Sequence, residues 1–212
     1  MEVDAREFRH ALQRVCDIFK VPWLYSEQEK CLEALFKGKD IYASLPTGYR
    51  KSLIIYAAPI AADELFLWPH GSSKIVVISP LRTLIEDQVA YLRSLELSAI
   101  ALYNEQSEER LKEVENGAFA YFFASPEKML SVERWRKLLL TKQYQKLLVA
   151  ITVDEAHCIS QWGLLGSSSK HTAVPFRIWY GNMGELQIMS PLSFWQPPLH
   201  CQLKETFLGP WI

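Results

Sequence analysis

The chain carries almost no net charge: 23 Lys and Arg stand against 24 Asp and Glu, a formal −1 at neutral pH over 212 residues. Bulk attraction to nucleic acid is thereby excluded, and any such binding requires a local patch. Long apolar runs are missing as well. Residues 53–62, the longest uncharged stretch near the glycine turn described below, fall far short of a bilayer span, and the opening MEVDAREFRH is charged where a secretory leader would be apolar. A membrane or secreted protein is therefore not expected. Cysteine pairs are absent: Cys16, Cys31, Cys158 and Cys201 lie scattered with no C-x-x-C, so neither a zinc module nor a disulfide framework is expected, and a reducing compartment fits. There is no internal repeat and no clear basic targeting cluster. What is present is a composition 49% apolar, enough to bury a core and sized for one domain, or at most one and a half.

Phe8, Leu12, Val15 and Phe19 recur at helical spacing, and Ser26 with Glu29 reads as a capping box opening a helix that ends near Gly38. Short apolar runs of buried-strand type follow at residues 40–45, 74–79, 98–102, 118–124 and 147–153. Helical stretches separate them, one marked by Leu84, Val89, Leu92 and Leu95, another running over 129–140. Such alternation predicts an open, mostly parallel α/β sheet flanked by helices, with ligands at the carboxyl ends of its strands. The character changes after Gly163. From Pro175 onward prolines and tryptophans fall without a clear period, which predicts an irregular C-terminal tail.

Two segments carry chemistry. IYASLPTGYRKSLII is a strand, a glycine-containing turn and then Lys-Ser opening a helix, the arrangement of a P-loop. There the backbone N–H groups around Thr47 and Gly48 and the helix N-terminus cradle phosphates, Lys51 reaches the outer phosphates, and the Ser52 hydroxyl ligates Mg²⁺. LLVAITVDEAH is an apolar strand that delivers adjacent carboxylates at its end. Mg²⁺ takes oxygen ligands while an attacking water needs a positioned acceptor, so Asp154 is the candidate metal-side residue and Glu155 the candidate water-polarising one.

The stretch DEAHCISQWG closely resembles the RecQ family of superfamily 2 DNA helicases, whose members continue the DEAH tetrad in this way. Other segments agree in order. LYSEQEKCLEALFKGKDIYASLPTG is similar to motif 0 running into motif I, with Gln28 at the adenine-reading position; VVISPLRTLIEDQV is similar to motif Ia, and FASPEKML to motif Ib. The resemblance covers roughly residues 19–163 and implies the first RecA-like domain of an ATP-dependent 3′-to-5′ DNA helicase, with ATP and Mg²⁺ as cofactors. It implies a single-stranded DNA track through Ser79, Arg82, Gln88, Ser125 and Lys128, with Trp162 stacking on a base and His157 joining the coupling network. A nuclear location follows from the resemblance alone.

Four departures qualify it. Arg50 stands where a glycine normally precedes the P-loop lysine, which predicts weakened ATP binding, and Tyr25 replaces a basic residue near the adenine. After Trp-Gly, about a dozen intruding residues precede Phe176, Arg177 and WYGNMGEL, where a family-like register resumes. Motif III and the whole second RecA-like domain, which would supply the arginine finger, have no counterpart. The expected organisation is a helicase ATP-binding domain over 1–163, an interrupted continuation over 164–187 and an aberrant or disordered tail over 188–212. A back-translation of SPLSFWQPPLHCQLK read two nucleotides later permits Leu-Ala-Ala-Thr-Ala-Thr, the sequence expected of motif III. The hypothesis that follows, a shifted frame or mis-joined exon from about Ile188, is refuted by an uninterrupted, correctly phased genomic exon through Ile212. The alternative function is a non-catalytic nucleic-acid or partner-binding module with a disabled P-loop.

Overall fold

The computed structural model describes residues 4–45, 48–102, 106–155, 192–196 and 202–204, the last two stretches as backbone only. Helix α1 (Ala5–Phe19) forms on the predicted apolar stripe. Its first turn is closed by Asp4, whose carboxylate accepts the N–H groups of Arg6 at 2.7 Å and Glu7 at 3.2 Å. Helix α2 (Ser26–Phe36) starts where the sequence predicts, with a different cap. Ser26 is already the first helical residue and Tyr25 is the cap: its carbonyl accepts the Glu29 N–H at 3.0 Å, while the Gln28 side-chain oxygen reaches back to the Tyr25 N–H at 2.8 Å. The box is built on Gln28, one position ahead of the expected Ser26 and Glu29 pair.

The five expected strands are present as β1 (Ile41–Ser44), β2 (Lys74–Ile78), β3 (Ala99–Leu102), β4 (Tyr121–Ala124) and β5 (Leu148–Val153). Between them run α3 (Ser52–Leu65), α4 (Arg82–Ser94), α5 (Glu108–Glu115), α6 (Pro126–Ser131), α7 (Glu133–Leu139) and α8 (Lys142–Leu147). The single helical stretch expected over 129–140 is split, because the β-branched Val132 adopts an extended conformation, φ −100° and ψ 107°, between α6 and α7. Most of residues 188–212 lie outside the described residues. Two short pieces of backbone there run as β6 (Leu192–Gln196) and β7 (Gln202–Lys204).

The strand order is β3-β4-β2-β5-β6-β1-β7, parallel at every pairing except the antiparallel contact of β7 with β1. Side chains alternate between two apolar layers. Ile75, Val77, Tyr121 and Phe123 pack with α1 to α4, while Val76, Ile78, Phe122 and Ile151 pack with α5 to α8. Strands covered on both faces have no polar side, which is why they read as continuous apolar runs. Each fully buried Ile or Leu contributes about 1.5–3 kcal/mol by leaving water. Helix α3 is buried from Leu53 to Asp63 although Pro59 interrupts it. Pro59 cannot donate to the carbonyl one turn back, and the Tyr121 hydroxyl donates to the neighbouring Tyr56 carbonyl at 2.7 Å, pinning the helix to the sheet there.

Parallel register fixes where the loops emerge. Ile78 pairs with Ala124 and with Val153, so the segments after β2, β4 and β5 leave from one edge of the sheet. Among the described residues no helix is long and apolar enough to cross a membrane.

Candidate nucleotide-binding site

The loop after β1 enters α3 through two residues with positive φ. Gly48 has φ 94° with nothing within 4 Å of where a Cβ would stand, and Arg50 has φ 46°. The first is cost-free and leaves open space beside the loop backbone. The second strains an L-residue in the position where a glycine was expected, by about 1 kcal/mol. Leu53 and Ile54 then donate to the Arg50 and Lys51 carbonyls at 2.9 and 3.1 Å, so Lys51 and Ser52 stand at the start of α3.

Gln28 clamps this loop. Its amide nitrogen donates to the Tyr49 carbonyl at 2.8 Å and to the Arg50 carbonyl at 3.2 Å, while its oxygen holds the Tyr25 N–H. The side chain is 1% exposed. Directly outside it the Tyr25 and Tyr49 rings lie 5.1 Å apart at 44°, with Tyr25 43% exposed. A cleft of about 400 Å³ adjoins the loop, lined by Phe19, Lys20, Val21, Arg50, Tyr56 and Tyr91 among others.

Asp154 leaves β5 at the same edge, its N–H donating to the Ile78 carbonyl at 2.8 Å. Its two carboxylate oxygens accept the Glu155 N–H at 3.0 Å and the Gln88 amide at 3.1 Å. Glu155 is held at φ 55°, a second strained residue beside the candidate chemistry. Tyr56 lies one turn into α3 from the loop. Burial pushes its phenol above the ordinary tyrosine range, a hydrogen bond with Ser52 opposes that shift, and the charges of Asp154 and Tyr91 add to it. Ser52, the hydroxyl expected to ligate Mg²⁺, thus hydrogen-bonds Tyr56, whose phenol also feels the charge of Asp154. Tyr56 was not singled out in the sequence, though it lies four residues after Ser52 on the same helical face.

The expected DNA track is distributed differently. Ser79 is fully buried, and Gln88 is 5% exposed and turned to Asp154. Arg82 is at the surface, paired with Glu86 at 2.9 Å. Ser125 caps α6, its hydroxyl accepting the Lys128 N–H at 3.2 Å, and both side chains are half-buried. Thr47, His157 and Trp162 lie outside the described residues. Cys16 and Cys31 are buried free thiols, and burial pushes that of Cys31 up to about 12, which keeps it protonated and inert. Among the described residues no group of three or more His, Cys, Asp or Glu could hold a metal ion.

Comparison with known proteins places this geometry. A family model described as DEAD/DEAH box helicase matches residues 25–174. The chain is 30% identical over 156 residues to the ATP-dependent helicase SGS1 of Saccharomyces cerevisiae, covering 72% of this chain and 10% of that protein. It is 32% identical over 166 residues to the ATP-dependent DNA helicase RecQ of Synechocystis sp., covering 76% of this chain and 31% of that one. The chain thus spans a third or less of the length of these relatives. Among solved structures, the DUF1998 helicase MrfA bound to DNA and AMPPNP superposes with a TM-score of 0.65 at 14% identity, over 92% of this chain and 27% of that one. At that identity the likeness is one of fold.

Proposed function

Because the chain belongs to the DEAD/DEAH box helicase family, with RecQ helicases among its relatives at about 30% identity, we propose that it is the ATP-binding first motor domain of a 3′-to-5′ DNA helicase. One observation supports the nucleotide half of this reading most directly: Ser52 at the start of α3, after β1, and Asp154 at the end of β5 leave parallel strands at the same edge of the sheet. The open space beside Gly48 and the oxygen character of this pair suit a phosphate-bound Mg²⁺. In the proposed site the α3 N-terminus and the Lys51 amine bind phosphate oxygens, Ser52 and Asp154 hold the cation, and Glu155 orients water. When bound, Mg²⁺ supplies neutralisation of phosphate charge. Exposed Arg82 and half-buried Ser125 and Lys128 follow β2 and β4 at the same edge and are the proposed contacts to a DNA backbone, and strand separation requires a second motor domain.

Mg·ATP titration by calorimetry tests the reading: the chain binds, Lys51→Ala abolishes binding, and both remain folded by circular dichroism. A second reading, a DNA- or partner-binding module with a disabled P-loop, is favoured by the strained Arg50. It predicts no nucleotide binding by the folded wild type and recovery in Arg50→Gly, with single-stranded DNA binding unchanged between them.

A further inference from the structure

Five non-glycine residues among those described have positive φ, and two of them, Lys20 and Arg50, are cations that line one cleft. Lys20 caps the C-terminus of α1 at φ 53° and ψ 41°, its N–H donating to the Cys16 carbonyl. Arg50 stands at φ 46°, its carbonyl held by the Leu53 N–H at 2.9 Å and by the Gln28 amide at 3.2 Å. Glycine takes such a backbone without a Cβ clash, so a long side chain in either place works against its own conformation. Strain of that kind gathers where a side chain meets a ligand.

The cleft, about 400 Å³, opens beside the phosphate loop, and both cations are exposed. They are the charged members of its lining, and Ser52, Tyr56 and Tyr91 add three hydroxyls that can turn to donate. Asp154 answers them with one negative charge, felt at Tyr56. Two cations and several hydroxyl donors around one cavity form the donor set that phosphate oxygens take, through charge-assisted hydrogen bonds. The volume holds a phosphate group together with part of whatever carries it.

We propose that this cleft is a phosphate subsite, in which Lys20 and Arg50 bind the oxygens of one phosphate group, supplied by the outermost phosphate of the nucleotide or by a free phosphate ion beside it. The first source rests on the nucleotide reading above, and the second does not. Arg50 is then a binding residue at the position where the sequence alone suggested an obstruction.

Glycine removes either cation and suits the backbone it leaves, so Lys20→Gly and Arg50→Gly are expected to stay folded and to report the side chains alone. Binding of inorganic phosphate, followed by ³¹P NMR, is expected to weaken about fivefold or more in each, and less in Arg50→Lys, which keeps the charge. Calorimetry with the Mg²⁺ complexes of ATP and ADP separates the sources. A comparable loss for ATP with none for ADP assigns the outermost phosphate of the nucleotide. Phosphate binding to wild type under saturating Mg·ADP, with no loss for ATP in the variants, assigns the free ion. Phosphate and ATP both bound by the glycine variants within about twofold of wild type overturn the proposal. Tighter ATP binding by Arg50→Gly overturns it as well, because the arginine is then an obstruction. Weakening confined to single-stranded DNA overturns it and gives the cleft to the DNA track. Failure of nucleotide to bind the folded wild type, with phosphate still held through Lys20 and Arg50, overturns the nucleotide reading and leaves the subsite standing.

Discussion

Two buried glutamines hold the two sides of the site, and the structure satisfies them unequally. On the phosphate-loop side Gln28 makes three hydrogen bonds, joining the cap of α2 to the loop before α3. On the acidic side Gln88 makes one, to Asp154, and its own oxygen is buried with no partner among the described residues. The nearby Ser79 hydroxyl is buried in the same condition. A saturated amide fixes its surroundings, whereas an orphaned acceptor costs about 1–3 kcal/mol and is tolerated where another arrangement satisfies it. The loop side is thus held by three bonds, and the acidic side by one, with an acceptor that has no partner among the described residues. Strain divides differently, since Arg50 and Glu155 place one left-handed residue on each side.

The largest effect is expected from breaking the saturated side. Gln28→Leu removes three bonds and leaves the Tyr49 and Arg50 carbonyls short of a donor, at a cost of about 2–4 kcal/mol in urea unfolding. Gln28→Glu keeps an acceptor for the Tyr25 N–H and loses both donors, so its loss is expected to be as large or larger once the charge is buried beside two carbonyls. A loss within about 0.5 kcal/mol for Gln28→Leu erases the contrast between the two amides.

Next in size is relief of strain. Arg50→Gly is expected to gain about 1 kcal/mol, because glycine occupies φ 46° without a Cβ clash, while Arg50→Ala keeps the Cβ and gains little. Equal stability of the two variants, measured by the same unfolding experiment, assigns the effect to the guanidinium instead of the backbone. The glycine variant also separates conformation from obstruction: unchanged nucleotide affinity means that the arginine side chain stands clear of the phosphates.

These expectations draw on parts of the molecule that the sequence disclosed unequally. The parallel sheet was legible because strands buried on both faces read as uninterrupted apolar runs, and all five such runs are strands. The loop before α3 and the acidic end of β5 were legible as places, because a glycine turn before Lys-Ser and adjacent carboxylates after an apolar run mark strand ends. Gln28 was found as a motif position, yet its partners were not, since they are backbone carbonyls more than twenty positions away that no side-chain pattern records. Ser79 and Gln88 read as members of a DNA track and are buried, Ser79 donating its N–H to the Ala124 carbonyl at the end of β4 and Gln88 its amide to Asp154. The α6–α7 break escaped because Val132 adds another apolar position to the helical pattern while its β-branched backbone is extended.

The smallest stability change belongs to the half-satisfied side, and it is the more discriminating for that reason. Gln88→Met preserves volume and removes the bond to Asp154 together with the orphaned oxygen, so a gain offsets the loss and unfolding stability is expected to stay within about 1 kcal/mol of wild type. Asp154 nevertheless loses the donor that fixes one of its oxygens, and the carboxylate becomes freer to turn. Mg²⁺-dependent nucleotide affinity is therefore expected to change by a few-fold, about 0.5–1 kcal/mol, while affinity for single-stranded DNA stays as it was. The reverse pattern, weakened DNA binding with unaltered Mg²⁺ dependence, returns Gln88 to the DNA track implied by its motif. A loss of several kcal/mol in stability has a third meaning: the unpartnered oxygen is then satisfied in solution, and the two glutamines are struts of the same kind.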